Sequence, residues 1–229
     1  MGIAYNTSVV RAGLVLHLDA ANRKSYPGSG TAWNDLSGNG NNGTLVNGPT
    51  HNSTNLGQFT FDAVNDYGSV SSLSSVDFIT TFTIECVFTQ LGAYNPGPII
   101  EKYNWSISGK GGWGLRFVGG NLSFFTNNVT TGETASIGYN LSANVKYYVT
   151  VTYNNGLLNM YINGVLVKQH TFSILPTTTI GQPVYIAQRG DGSGAFNYIS
   201  VNKVAMYNRA LSATEVRQNF EALRGRYGI

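Results

Sequence analysis

The sequence predicts an all-β chain folded as an antiparallel sandwich, and three observations carry that expectation. Short apolar runs recur at period two, they are bounded by Gly, Asn, Pro and Ser, and Asn-Gly pairs join several of them. Period-two alternation sets one face of a strand against a core and turns the other to solvent. Asn-Gly accepts the positive φ that both central positions of a tight hairpin turn require.

Taken in order, Leu14, Leu16 and Leu18 form the first apolar face, and Phe59 with Phe61 the second. Phe82, Ile84, Cys86 and Phe88 form a third, with Thr83 and Glu85 assigned to the solvent side. Trp113, Leu115 and Phe117 turn at Gly119-Gly120 into Leu122 and Phe124, a hairpin pattern. Tyr147 to Tyr153 is β-branched and aromatic; Asn154-Asn155-Gly156 turns it into Leu158, Met160 and Ile162. Asn163-Gly164 turns the chain again into Val165 to Val167, so three antiparallel strands follow one another. Val184 to Ala187 and Tyr198 to Tyr207 add two strands on either side of a loop at 189–197. One helix is expected: Ser212 and Glu215 make a capping box, Val216, Phe220 and Leu223 share a face, and Gly225 is the expected stop. This short C-terminal helix is expected to cap one end of the sandwich.

At 229 residues the chain fits one large β domain, with residues 1–10 as an N-terminal arm and 11–229 as the domain. A hydrophobic fraction of 42%, with 12% aromatic residues, is enough for a core and excludes the disordered class. The charged fraction is only 11%, less than half the usual quarter, so Asn, Ser, Thr and Gly must carry solubility. A net charge of +3 with no basic run leaves no nucleic-acid footprint. No apolar run approaches the roughly 18 residues of a membrane span, and no leader pattern opens the chain. Cys86 is alone in an apolar strand and is expected in the core.

Phe82-Thr83-Ile84-Glu85, the run Tyr147 to Tyr153 and Tyr161-Ile162-Asn163-Gly164 resemble the core strands of laminin-G-like, concanavalin A-like jelly-roll domains. Tyr207-Asn208-Arg209-Ala210-Leu211-Ser212, with Glu215 after it, resembles that family's closing motif. The N-terminal third is similar to the version of this domain in bacteriophage virion proteins: Gly13 to Ala20, Ser25 to Gly30, Leu36 to Leu45 and Asn65-Asp66-Tyr67. That version decorates heads or forms parts of tail fibres. The resemblance implies a virion-surface protein made in the host cytoplasm. It also implies contacts with capsid or tail subunits and a homo-oligomer, such as a trimer. Many members carry an acidic residue on the last strand before the closing motif, where this chain has Asn202-Lys203-Val204-Ala205-Met206.

Glucanases of this fold class use two carboxylates about 5 to 9.5 Å apart. Only Glu85 lies inside a predicted strand, with no acid two positions away, and Asp62 and Asp66 flank a turn where Asx-type capping is expected. His17, His51 and His170 have no ligand spacing. No enzymatic activity is therefore expected. The loop Asp35 to Gly43 offers Asp35, Asn39 and Asn41 as hard oxygen ligands for Ca²⁺, a cation that relatives of this fold often hold at a sandwich rim; no other cofactor is called for. Sugar binding needs exposed aromatic faces and planar polar groups on loops. Tyr94, Tyr103 and Trp105 in one stretch, and Arg189, Asp191 and Asn197 in a second loop, are the candidates. The expected function is a lectin-like module contacting host-surface glycan; the alternatives are a purely structural virion subunit and, behind it, a glycoside hydrolase.

Overall fold

The computed structural model describes residues 8–54, 56–71, 80–92, 97–104, 111–127, 137–173 and 181–229. The first strands in chain order are β1 (Leu14–Asp19), β2 (Ala32–Trp33), β3 (Gly43–Val46), β4 (Thr50–Asn52), β5 (Gln58–Asp62) and β6 (Tyr67–Val70). Then come β7 (Thr81–Gln90), β8 (Gly97–Asn104), β9 (Gly111–Val118), β10 (Asn121–Asn127) and β11 (Ile137–Asn140). The last are β12 (Lys146–Asn154), β13 (Leu157–Ile162), β14 (Val165–Thr171), β15 (Val184–Ile186) and β16 (Tyr198–Tyr207), followed by helix α1 (Ala213–Tyr227).

Two antiparallel sheets result. The first runs β14-β13-β12-β7-β16-β5-β4, with β1 also paired to β16; the second runs β11-β10-β9-β8-β15-β6-β3-β2. Their inner faces meet in one core: Leu16, Leu18, Phe61, Ile84 and Phe88 on one side, Trp113, Leu115, Phe124 and Ile186 on the other. Each such side chain contributes about 1.5–3 kcal/mol by leaving water. Cys86 and Trp113 lie in this core as the sequence predicts, and burial pushes the Cys86 thiol up to about 12. The three consecutive hairpin strands are β12, β13 and β14, and Asn163 (φ 51°) with Gly164 (φ 74°) takes the left-handed conformation its turn demands.

The capping box forms as predicted. Ser212 Oγ accepts from Glu215 N, and the Glu215 carboxylate accepts from Ser212 N. Arg209 grips that carboxylate with both terminal nitrogens, and this pairing pulls Glu215 down to about 2. Two expectations for the helix need correction. It continues through Gly225 and stops at Gly228, whose φ of 69° closes the last turn. It also lies across the outer face of the first sheet instead of capping an end, with Phe220 and Tyr227 packed on Val87 and Tyr148.

The assignment of Glu85 and Thr83 to solvent is overturned: both are fully buried, Glu85 beneath α1 and Thr83 against the segment leading into it, where its hydroxyl donates to Arg209 O and accepts from Leu211 N. Lys203 Nζ meets Glu85 Oε2 at 2.6 Å and donates to Tyr148 Oη at 2.9 Å, and Tyr148 Oη donates to the same carboxylate oxygen. Asn219 of α1 donates to Glu85 Oε1 at 2.9 Å and accepts from Val10 N at 2.8 Å. Tyr207 Oη then donates to Val10 O. A buried charge is tolerable only when paired and hydrogen-bonded, and here the pairing ties β7, β16, α1 and the arm residue Val10 together. Lys203 is the cation that makes Glu85 admissible.

His17 on β1 is driven down to about 3, mainly by burial and then by the charge of Lys203. An unfolded histidine binds its proton near pH 6.5. Between pH 6.5 and about 3 the unfolded chain therefore holds a proton that the folded one refuses. Stability present above pH 6.5 is lost as the pH falls through that window. The melting temperature is expected to drop on acidification, and to drop less in His17→Gln; equal acid sensitivity of the two proteins in a calorimetric pH series would refute this.

Candidate functional site

The outer face of the second sheet carries a polar cluster assembled from β8, β9 and the loop before β16. Register places Glu101 opposite Gly114 on one side and Tyr185 on the other, and sets Arg116 opposite Pro98. The loop folds back on itself through Arg189 N to Ala195 O and Asn197 N to Ala187 O. Its floor is anchored by Asn197, fully buried, which donates to Pro98 O and accepts from Gln90 Nε2.

Glu101, also fully buried, receives Arg116 through Nε and Nη2 and the backbone N–H of Gly190. Burial raises its carboxyl above the ordinary carboxylate range against the pull of Arg116. Tyr103 Oη accepts from Arg116 Nη2 at 3.1 Å and from Arg189 Nε at 2.7 Å. Asp191 pairs with Arg189 at 3.1 Å. Arg116 also lies over the Phe125 ring, 4.9 Å from its centroid. The side chains of Arg116 and Arg189 keep 24% and 33% of their exposure, and both line a depression of about 280 Å³ that also includes Pro98, Phe117, Val118 and Ala195. The same loop brings Phe196 onto Tyr67, stacked at 6.3 Å, and Tyr67 meets Tyr185 edge-on at 5.9 Å; all three rings are half-buried.

The site thus presents two guanidinium edges held rigidly by acids and a phenol, near a short aromatic shelf. Two cations balance two carboxylates, so the cluster offers directed hydrogen-bond donors without a strong net field. Planar donors beside aromatic faces suit the paired hydroxyls and C–H faces of a sugar.

Of the predicted sugar residues, Tyr103, Arg189 and Asp191 are brought together. Tyr103 itself is fully buried, so it positions arginines and offers no face to a ligand. Asn197 is a loop anchor and not an exposed loop residue. Tyr94 and Trp105 lie outside the described residues. Arg116 was not singled out by the sequence; its only signal is an outward-facing charge in an apolar strand.

In the Asp35 loop, the Asp35 carboxylate accepts from His17 N, Ser37 N, Ser37 Oγ and Asn41 N. Asn39 and Asn41 use their amide N–H groups on Leu14 O and Val15 O. The loop's polar groups thus pin it along β1. Among the described residues no group of three His, Cys, Asp or Glu side chains is placed to hold a metal. Asp62 caps its turn as expected, accepting from Val64, Asn65 and Asp66 N–H groups, which lowers its carboxyl.

Two packed antiparallel sheets with a loop-fringed polar face define a lectin-like or glucanase-like β-sandwich domain. The chain belongs to the concanavalin A-like lectin/glucanases superfamily, whose laminin-G family model matches residues 60–217. Among solved structures, Trypanosoma rangeli sialidase in complex with sialic acid is similar over 93% of this chain and 33% of that one, with TM-score 0.67 and 17% identity. The binding domain of Paraclostridial Mosquitocidal Protein 1 is similar over 91% and 52%, with TM-score 0.69 and 20% identity. A mutant of HCR/D is similar over 93% and 52%, with TM-score 0.71 and 18% identity. The chain spans about a third of the sialidase and about half of the other two, and at these identities the likeness shows the fold. No curated protein sequence matches the chain.

Proposed function

We propose that this domain binds glycan hydroxyl groups at the Arg116–Arg189 depression without cleaving the sugar, as a surface module of a bacteriophage virion. The observation that carries the reading is the locked pair of guanidinium groups, fixed before any ligand arrives by Glu101, Asp191 and the Tyr103 hydroxyl. Preorganised donors bind without a further ordering cost. The non-catalytic part rests on the acids: Glu85 and Glu101 are fully buried, the Asp191 side chain keeps 5% exposure, and each is engaged by a cation. The virion setting rests on the resemblance of the N-terminal third.

The test is a glycan array followed by titration of the best hit. Arg189→Ala is expected to weaken binding about tenfold or more, as for a truncated central arginine; Arg189→Lys, which keeps a cation beside Asp191, is expected to weaken it less and to hold the melting temperature closer to that of the parent. Chelation with EDTA is expected to leave the affinity unaltered, since the loop at Asp35 takes no part. An array without hits, or reducing ends released from the bound glycan, would overturn the reading. A second reading, a structural subunit with no glycan ligand, is favoured by exposed Val165 and Leu166 on β14, at the edge of the first sheet. Edge strands with apolar side chains invite association, and linked copies would also give a weak sugar site avidity. Light scattering showing a homo-oligomer such as a trimer, with cryo-electron microscopy of the parent particle, tests that setting.

A further inference from the structure

A second depression, about 510 Å³, opens beside the first sheet and shares no lining residue with the first. Its size falls in the range of about 300–1,000 Å³ typical of small-molecule sites. The chemistry of its walls is different. Arg226, from the last turn of α1, is paired with the almost fully buried Asp19 at 3.0 Å and keeps 39% of its side-chain exposure. Arg23 is exposed, and no hydrogen bond or ion pair engages it among the described residues. His51 faces the same space. Its Nε2 lies 3.0 Å from Ala20 O, which fixes the proton on that nitrogen, and its ring meets Tyr26 at a tilt of 57°, the centroids 4.7 Å apart. Pro27 and Leu56 supply apolar wall.

Two arginines against one carboxylate leave a surplus positive charge, whereas the Arg116–Arg189 cluster is balanced. We propose that this pocket binds an oxyanion-bearing ligand of monosaccharide size, its carboxylate or sulfate set between Arg23 and Arg226 and its apolar face against Pro27 and Leu56. Planar guanidinium groups match the oxygens of both anions. The proposal is independent of glycan binding at the first site.

The test is an NMR titration at low ionic strength with inorganic sulfate, glucuronate and, as neutral control, glucose. Sulfate and glucuronate are expected to move the His51 ring and Ala21 amide signals along saturable curves, while glucose leaves them in place. Tighter binding of glucuronate than of sulfate assigns the pocket to acidic sugars, and the reverse order assigns it to free anions; either order sustains an oxyanion site. Arg23→Glu is expected to weaken both anions about tenfold or more with an unchanged melting temperature, because Arg23 holds nothing in the fold. Arg226→Lys keeps a cation beside Asp19 and is expected to weaken them less. Arg189→Ala is expected to bind both anions like the parent protein, which separates failure here from failure at the first site. No saturable shift, an equal response to glucose, or undiminished binding by Arg23→Glu would overturn the proposal.

Discussion

Replacing Lys203 by Met is expected to remove about 3–5 kcal/mol of folding stability, the loss typical of breaking a buried ion pair from one side. The side chains of Lys203 and Glu85 are 1% and 0% exposed, so Glu85 would keep its burial and lose its cation. Tyr148 and Asn219 would still donate to it, but neither carries charge. Adding Glu85→Gln to the same chain is expected to recover part of the loss, since the amide oxygen can accept from Asn219 while the amide N–H donates to the Tyr148 hydroxyl, and no charge is stranded. The coupling between the two substitutions should lie within about 0.5–3 kcal/mol. Urea denaturation of the two single variants and the double variant checks this. A loss below about 1 kcal/mol for Lys203→Met would mean that water reaches the carboxylate.

Gly112→Ala is expected to be comparably severe, at about 3 kcal/mol or more. Gly112 sits in β9 with φ of 115°, and a Cβ there would lie 2.0 Å from Lys102 O and 2.6 Å from Tyr103 Cα. Both obstacles are backbone atoms, so no side chain can swing away; β8 itself would have to retreat. Tyr103 would then carry its hydroxyl away from Arg116 and Arg189, so glycan affinity is expected to fall together with the melting temperature. A variant that melts like the parent would show that β8 and β9 approach less closely.

These cases mark what the sequence does and does not disclose. The strands β7, β12, β13 and β16 are legible because β-branched and aromatic runs, and turns such as Asn163-Gly164, are local signals. Strands β3, β6 and β8 are not, because Gly43, Gly68 and Gly97-Pro98 interrupt their patterns, and β6 and β8 are brought side by side only through β15, far along the chain. Glu85 was misassigned because alternation tells which residues share a face, not what covers that face; its cover is a helix more than 120 residues away. At the site, Arg189 could be chosen as a polar loop residue. Arg116 could not, since its meaning depends on Glu101 in the next strand, and that pairing is a matter of register.

The central place of β16 sets the timing of folding during synthesis. Residues 198–207 lie between β7 on one side and β5 and β1 on the other. A ribosome adding about 5–20 residues per second delivers this strand roughly 5–20 s after β7. Until then β1 and β5 have no central strand to join, and β7 keeps one open edge. The β7-β12-β13-β14 half and the β4-β5 pair can form from strands already made. The nascent chain nevertheless holds these parts and β1 unjoined, with the edges of β5 and β7 open to neighbouring chains on the same message, until β16 closes the sheet in one late step.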